Sequence, residues 1–211
     1  MSDSLRKVSR TSNAEGRRNM ARREIEFHQD CYYHIYNRGC NREDIFYIDE
    51  NYRYLIRKMH KYMVDKDVST IAYCLMPNHY HFLLFQKSAR SVGKIVQYIF
   101  NGYTKAFNEM YHRTGTLFEG PFKAKLINKF GHIPHICRYI HRNPLEAKLV
   151  ERLEDWDFSN YPEWIGKRNS PLVDHVFIQE HFLTGKEYEK YVLEYRSPKK
   201  IGKEIGGYYL D

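Results

Sequence analysis

Secondary-structure signals run along this 211-residue chain in the order strand, helix, strand, strand, helix, strand, helix. The first six predict an α+β fold of the split βαβ, ferredoxin-like kind: a four-stranded antiparallel sheet with helices packed on it. Three observations support this. Four short runs are rich in β-branched and aromatic residues, the segments between them have helical apolar spacing, and turn residues mark the boundaries.

Tyr32 to Tyr36 reads as the first strand, closed by Asn37-Arg38-Gly39. Asp49 to about Val64 carries Tyr54, Leu55, Met59, Tyr62 and Met63 at helical spacing. Ser69 to Leu75 and His79 to Phe85 flank the turn Met76-Pro77-Asn78, which makes them a hairpin. Ser91 suits an N-cap for a long helix through about Tyr111. Phe122 to Ile127 reads as the fourth strand. Ile133 to Asn143 reads as the third helix, with Pro144 expected to end it by disfavouring α conformation at Asn143. Beyond residue 150 the pattern weakens; a short helix is expected over Glu187 to Tyr195 and a wrap or tail elsewhere.

Composition narrows the function classes. Lys and Arg total 34 against 26 acids, a net charge of +8, which makes a polyanion the leading partner. Residues 1–24 hold seven Lys/Arg and three acids, a surplus of four that is half the net charge, so residues 1–28 read as a basic arm. The mean hydropathy of −0.71 and the lack of an apolar run near the ~18 residues of a membrane span predict no membrane partner. No secretory pattern opens the sequence, and Cys31, Cys40, Cys74 and Cys137 fit no zinc-ribbon spacing. They read as reduced thiols of a cytoplasmic protein.

Two short motifs carry chemistry. His79-Tyr80-His81 lies on a predicted strand, where residues i and i+2 share a face, so both imidazoles can reach one metal ion. Among 11 histidines that spacing alone is equally compatible with ordinary packing. Tyr139 and Asn143 are i and i+4 on a predicted helix, hence one above the other; alone they also fit a core aromatic and a C-cap. Together the motifs suggest more. A divalent ion held by two imidazoles and an amide oxygen keeps open positions for phosphate oxygens, and a tyrosine one turn from a ligand is placed to attack phosphorus. Magnesium or manganese suits such a site.

These residues sit within a longer series of blocks: Tyr36-Asn37-Arg38-Gly39, Asp44-Ile45-Phe46, Leu75 to Leu84, Thr114 to Phe118, Phe122-Lys123-Ala124, Arg138 to Pro144, and Asp155-Trp156 to Ser159-Asn160-Tyr161. In that order they resemble the HUH-type single-tyrosine transposases, and among them the REP-associated tyrosine transposases, over residues 29–165. The resemblance implies that His79 and His81 are the metal pair, Asn143 the third ligand and Tyr139 the nucleophile. It also implies cleavage and rejoining of single-stranded DNA near a hairpin through a 5′-phosphotyrosine bond, by a monomer or homodimer. It says nothing of the arm or of a C-terminal extension over 166–211.

Arg38, Arg42, Arg113, Lys123 and Lys125 are the candidate DNA-binding residues; the two lysines share one face of the fourth strand. Two other readings stay open. One is a domesticated hairpin DNA- or RNA-binding protein without turnover. The other is an RNA-recognition fold, which requires paired aromatics in RNP-type motifs on the central strands; Tyr80 and Phe82, on the face away from the histidines, imitate that pattern weakly.

Overall fold

A computed structural model describes residues 25–64 and 67–194. Strands β1 (Cys31–Arg38), β2 (Val68–Met76), β3 (His79–Gln86) and β4 (Lys123–Ile127) form one antiparallel sheet in the order β2-β3-β1-β4. Helices α1 (Asp49–Met63) and α2 (Val92–Met110) cover one face. The other face carries α3 (Ile133–Glu146), then α4 (Tyr161–Trp164), α5 (His175–His181) and α6 (Gly185–Leu193). This is the expected fold. No helix among the described residues is long and apolar enough to cross a membrane.

Alternation along the strands divides the apolar residues between two cores. Tyr33, Ile35, Tyr80, Phe82 and Leu84 pack under α1 and α2 with Leu55, Met59, Ile99 and Phe100. Cys74, Met76 and Leu83 pack under α3 with Ile136, Cys137 and Ile140. A bulge between Thr70 and Ala72 turns Ile71 and Ala72 toward this second core together. Tyr80 and Phe82 are buried, with Tyr80 stacked 4.0 Å from Phe100, so neither is free to stack on a base.

Two local expectations change and a third is narrowed. Ser91 makes no side-chain cap; Gln86 Oε1 accepts from Val92 N at 2.8 Å instead, so the end of β3 starts α2. Pro144 does not end α3, which runs to Glu146. The proline has no N–H for the Ile140 carbonyl, and Asn143 Nδ2 covers that oxygen at 3.3 Å while also donating to Tyr139 O at 2.8 Å. Of the wrap or tail expected beyond residue 150, residues 156–194 are the wrap. Leu75 N donates to Phe158 O, Asn160 N to Tyr73 O and Asp174 N to Thr70 O, which closes the β2 edge. Asp174 caps α5 through Phe177 N, and Thr184 caps α6 through Glu187 N. Ile25 and Phe27 also rest on the first core, with Phe27 4.7 Å from the Tyr33 ring.

Candidate metal centre and nucleophile

β3 lies inside the sheet, so its His79 and His81 have a strand on either side. Register sets their neighbours: Arg38 stands opposite His79, and Tyr36 opposite His81. On the next strand Lys123 stands opposite Tyr36 and Lys125 opposite His34. Directly opposed residues share a face. Arg38, Lys123 and Lys125 therefore rise on the same face as the two histidines.

Burial lowers the pKa of His79 below the ordinary imidazole value, with Arg38 adding to the shift and Asn143 opposing it. His81 is pushed well below that value by its complete burial, then by His34 and His79. Both rings are thus neutral at pH 7 and keep one lone pair each.

The hydrogen-bond network assigns where the His79 lone pair points. Asn78 Nδ2 donates to Arg42 O at 3.1 Å, which turns Asn78 Oδ1 toward His79 Nδ1 at 2.7 Å. Nδ1 therefore carries the proton, and Nε2 is the acceptor. Nε2 faces Asn143 Oδ1 at 3.4 Å. Asn143 Nδ2 is committed to Tyr139 O and Ile140 O, so the atom facing His79 is the oxygen. Two acceptors face each other, an arrangement that favours a cation between them. His81 Nε2 is likewise buried with no hydrogen-bond partner among the described residues. These donors fit a divalent ion. Among the described residues no group of three His, Cys, Asp or Glu could hold a metal ion; the candidate third donor beside the two histidines is the amide oxygen of Asn143.

Tyr139 and Asn143 both lie on α3, one turn apart. The half-buried Tyr139 ring stands 5.3 Å from the His81 ring and 6.2 Å from that of His34, edge-on to each. His141, two residues on, points the other way into the second core. Its Nε2 meets Asn160 Oδ1 at 2.9 Å and its Nδ1 meets Tyr188 Oη at 2.6 Å. Arg138 lies over the Tyr191 ring at 4.4 Å and meets His135 at 3.0 Å. α3 is therefore clamped from behind by α6.

The candidate DNA-binding residues separate. Arg38 pairs with Glu119 at 2.7 Å beside His79. Lys125 lies 5.3 Å from the Tyr36 ring, and Lys123 is exposed on the edge strand. Arg42 is exposed in the loop whose carbonyl holds Asn78. That loop folds tightly because Gly39 has no Cβ; one there would meet Glu43 O at 1.9 Å. Arg113 instead lies over Phe107 in the α1/α2 layer, 3.6 Å from Glu43. A cavity of about 810 Å³ between α2 and the loop at 116–122 contains none of the proposed metal donors.

Sequence reasoning missed His34 and the role of Asn78. His34 Nε2 lies 3.1 Å from His81 Nδ1, and both rings are fully buried. In the sequence it shows only as a histidine on the β1 face shared with Tyr36, two residues before the Tyr36-Asn37-Arg38-Gly39 block; its contact with His81 forms only when β1 and β3 pair.

A family model described as "Transposase IS200 like" matches residues 27–143. The structure of a REP-associated tyrosine transposase bound to a REP hairpin superposes with a TM-score of 0.58 at 15% identity. The match covers 74% of this chain and 98% of that one, and it shows a shared fold. A putative transposase from Deinococcus radiodurans R1 gives a TM-score of 0.39 at 15% identity, covering 56% of this chain and 95% of the other. No curated protein matches the chain.

Proposed function

The chain belongs to the IS200-like transposase family, and from that premise we propose that it cleaves and rejoins single-stranded DNA beside a hairpin, with Tyr139 as nucleophile. The observation that carries this reading is the pair of facing acceptors, His79 Nε2 and Asn143 Oδ1, with Tyr139 one turn from Asn143 and next to His81.

His79, His81 and Asn143 would hold a divalent ion, magnesium or manganese. When bound, such an ion supplies Lewis-acid polarisation of the scissile phosphate. The protein's own groups do the rest. The Tyr139 oxygen forms a bond to phosphorus and the bond from phosphorus to the 3′ oxygen breaks. The phenol proton leaves to solvent, and the departing 3′ oxygen takes one up. One phosphodiester is exchanged for one phosphotyrosyl ester, so a 3′-hydroxyl can reverse the step without ATP. Arg38, Lys123 and Lys125, on the same face as the histidines, contact the phosphates of the strand, with Arg42 in the adjoining loop. Burial of Tyr80 and Phe82 weighs against the RNA-recognition reading.

The test is incubation of the full chain with labelled single-stranded DNA from the gene's own flanks and Mg²⁺ or Mn²⁺. The parent should form a covalent adduct that survives denaturant. Tyr139→Phe should form none and still bind the hairpin, because it removes one hydroxyl and keeps the ring. An adduct from Tyr139→Phe would move the nucleophile to another tyrosine. A parent that binds the hairpin but never forms the adduct would favour the binder without turnover.

A further inference from the structure

We propose that Asn78 is a positioning residue whose amide, held by the loop at 39–46, fixes the tautomer of His79 and sets its affinity for a metal ion; the inference rests on the metal-centre reading above. The loop holds the turn between β2 and β3 at four points. Pro77 O accepts from Ile45 N at 2.7 Å and from Phe46 N at 3.1 Å, and Asn78 O accepts from Gly39 N at 2.8 Å. The fourth point is the side chain, whose Nδ2 donates to Arg42 O at 3.1 Å. Asn41 and Arg42, which place that carbonyl, both take left-handed backbone, with φ of 55° and 62°. Neither is glycine, so this uncommon conformation persists only because the surrounding bonds hold it. Arg42 thus serves two ends: its carbonyl fixes Asn78, and its exposed side chain is among the proposed phosphate contacts.

His79 stands between two amide oxygens, Asn78 Oδ1 at 2.7 Å from Nδ1 and Asn143 Oδ1 at 3.4 Å from Nε2. A neutral imidazole has one N–H, so one of these contacts must join two acceptors. With the proton on Nε2, the two acceptors would face each other at 2.7 Å, the length of an ordinary hydrogen bond. With the proton on Nδ1, they face each other at 3.4 Å, beyond the ordinary range. The second arrangement costs less, and its longer contact is the one that a cation relieves. Turning the Asn78 amide over does not rescue the first, because Oδ1 would then oppose Arg42 O at 3.1 Å. The loop carbonyl therefore decides which end of the amide meets His79, and the amide decides where the imidazole proton sits. An acceptor on the second ring nitrogen is the usual orienting partner of a metal-ligating histidine, and it raises the basicity of the ligating nitrogen.

The test uses the full chain, stripped with chelator and titrated with Mn²⁺ alone by calorimetry. Asn78→Ala should bind about 10- to 100-fold more weakly, the usual loss when an orienting partner is removed. Asn78→Asp should bind at least as tightly as the parent, because its carboxylate accepts from His79 Nδ1. Both variants lose the bond to Arg42 O, so the metal-free melting temperature should fall in both. A role confined to holding the loop would make Mn²⁺ affinity fall in both as well. Unchanged affinity in Asn78→Ala, or a loss in Asn78→Asp as large as in Asn78→Ala, overturns the proposal. Should the variants not fold, long-range ¹H–¹⁵N spectra of the metal-free parent decide: a proton on His79 Nδ1 supports the assignment, and one on Nε2 overturns it. His79→Ala is the reference arm. Binding lost there but intact in Asn78→Ala sinks the role of Asn78 alone, whereas a parent that binds no Mn²⁺ sinks the metal reading and this inference together.

Discussion

Asn143 does two things with one amide. Its Nδ2 satisfies the Tyr139 and Ile140 carbonyls, and that commitment turns its Oδ1 toward His79 Nε2. Asn143→Ala removes both functions. It should lower metal-free stability by about 1 kcal/mol, the ordinary net value of such hydrogen bonds, and weaken Mn²⁺ binding. Asn143→Asp keeps a hard oxygen and adds charge, so Mn²⁺ should bind it at least as well as the parent. Its carboxylate has no donor for the two carbonyls, so its metal-free stability should fall at least as far as that of the Ala variant. Melting curves with and without Mn²⁺ check both, since a ligand that binds only the folded state raises stability with its concentration. If Asn143→Ala gains as much from Mn²⁺ as the parent, the amide oxygen is not a donor. At this scale His79, His81, Tyr139 and Asn143 were legible because each pair lies within a few residues and the local period puts it on one face. His34 was not, because its partner lies 47 residues away and the contact exists only once β1 and β3 pair. Asn78 read as a turn residue. Nothing in the local pattern says that its amide would be held by Arg42 O and aimed at the next side chain.

α3 brings the tyrosine and the amide to the sheet, and the elements behind it hold it there. The four strands and first three helices were legible because each is long enough for its period to show. α4 and α5, of four and seven residues, are too short for that; the packing of Trp164 on Phe177 and Tyr188, with the Asp174 cap on α5, gives them a reason to form. The continuation of α3 through Pro144 was illegible for another reason: a side chain supplied the donor that the backbone lacked. The clamp on α3 is polar as well as apolar. Asn160 Nδ2 donates to Ile71 O at 2.8 Å and its Oδ1 accepts from Tyr73 N at 2.6 Å, so that oxygen also accepts from His141 Nε2. His141 Nδ1 must then accept from Tyr188 Oη, whose proton is retained because burial raises its pKa. Burial lowers the His141 pKa from 6.5 to about 4, partly offset by Asn160. Below pH 6.5 the unfolded chain therefore binds a proton that the folded chain refuses, and stability falls as pH falls. The slope is about 1.4 kcal/mol per pH unit, and it persists until the folded His141 itself titrates near the lower value. Buried His81 and His79 add loss of the same sign. Denaturant melts from neutral pH downward should show this acid limb. His141→Gln, which keeps one donor and one acceptor, should make it shallower. An identical limb in that variant would assign the loss to the other histidines.

At the scale of the whole molecule, two groups of basic residues are ones that a single nucleic-acid strand could join. One is the histidine face, where Arg38, Lys123 and Lys125 follow the register of β3, β1 and β4. The other is the basic N-terminal segment, whose residues 1–24 lie outside the described residues and carry seven Lys/Arg against three acids. The edge position of β4 also gives its lysines a second effect, since charges there oppose pairing with another sheet. Salt dependence separates the two sources of DNA contact. For single strands, log affinity falls with log salt at about 0.7 per phosphate contact. Replacing Lys123 and Lys125 by serine should flatten the slope by about 1.4 if both contact phosphate. Deleting residues 1–24 should flatten it by up to about 5 if all seven basic residues do. Neither change touches His79, His81, Asn143 or Tyr139, so adduct formation at low salt and saturating DNA should persist in both variants. The measurement is fluorescence anisotropy of a labelled hairpin with a single-stranded flank, titrated at several salt concentrations. A flatter slope for both variants places the strand along the histidine face and in contact with residues 1–24. A slope unchanged by the lysine substitutions sinks that path. One unchanged by the deletion confines the arm to solvation, because no screening argument lets seven phosphate contacts vanish without a change in counterion release.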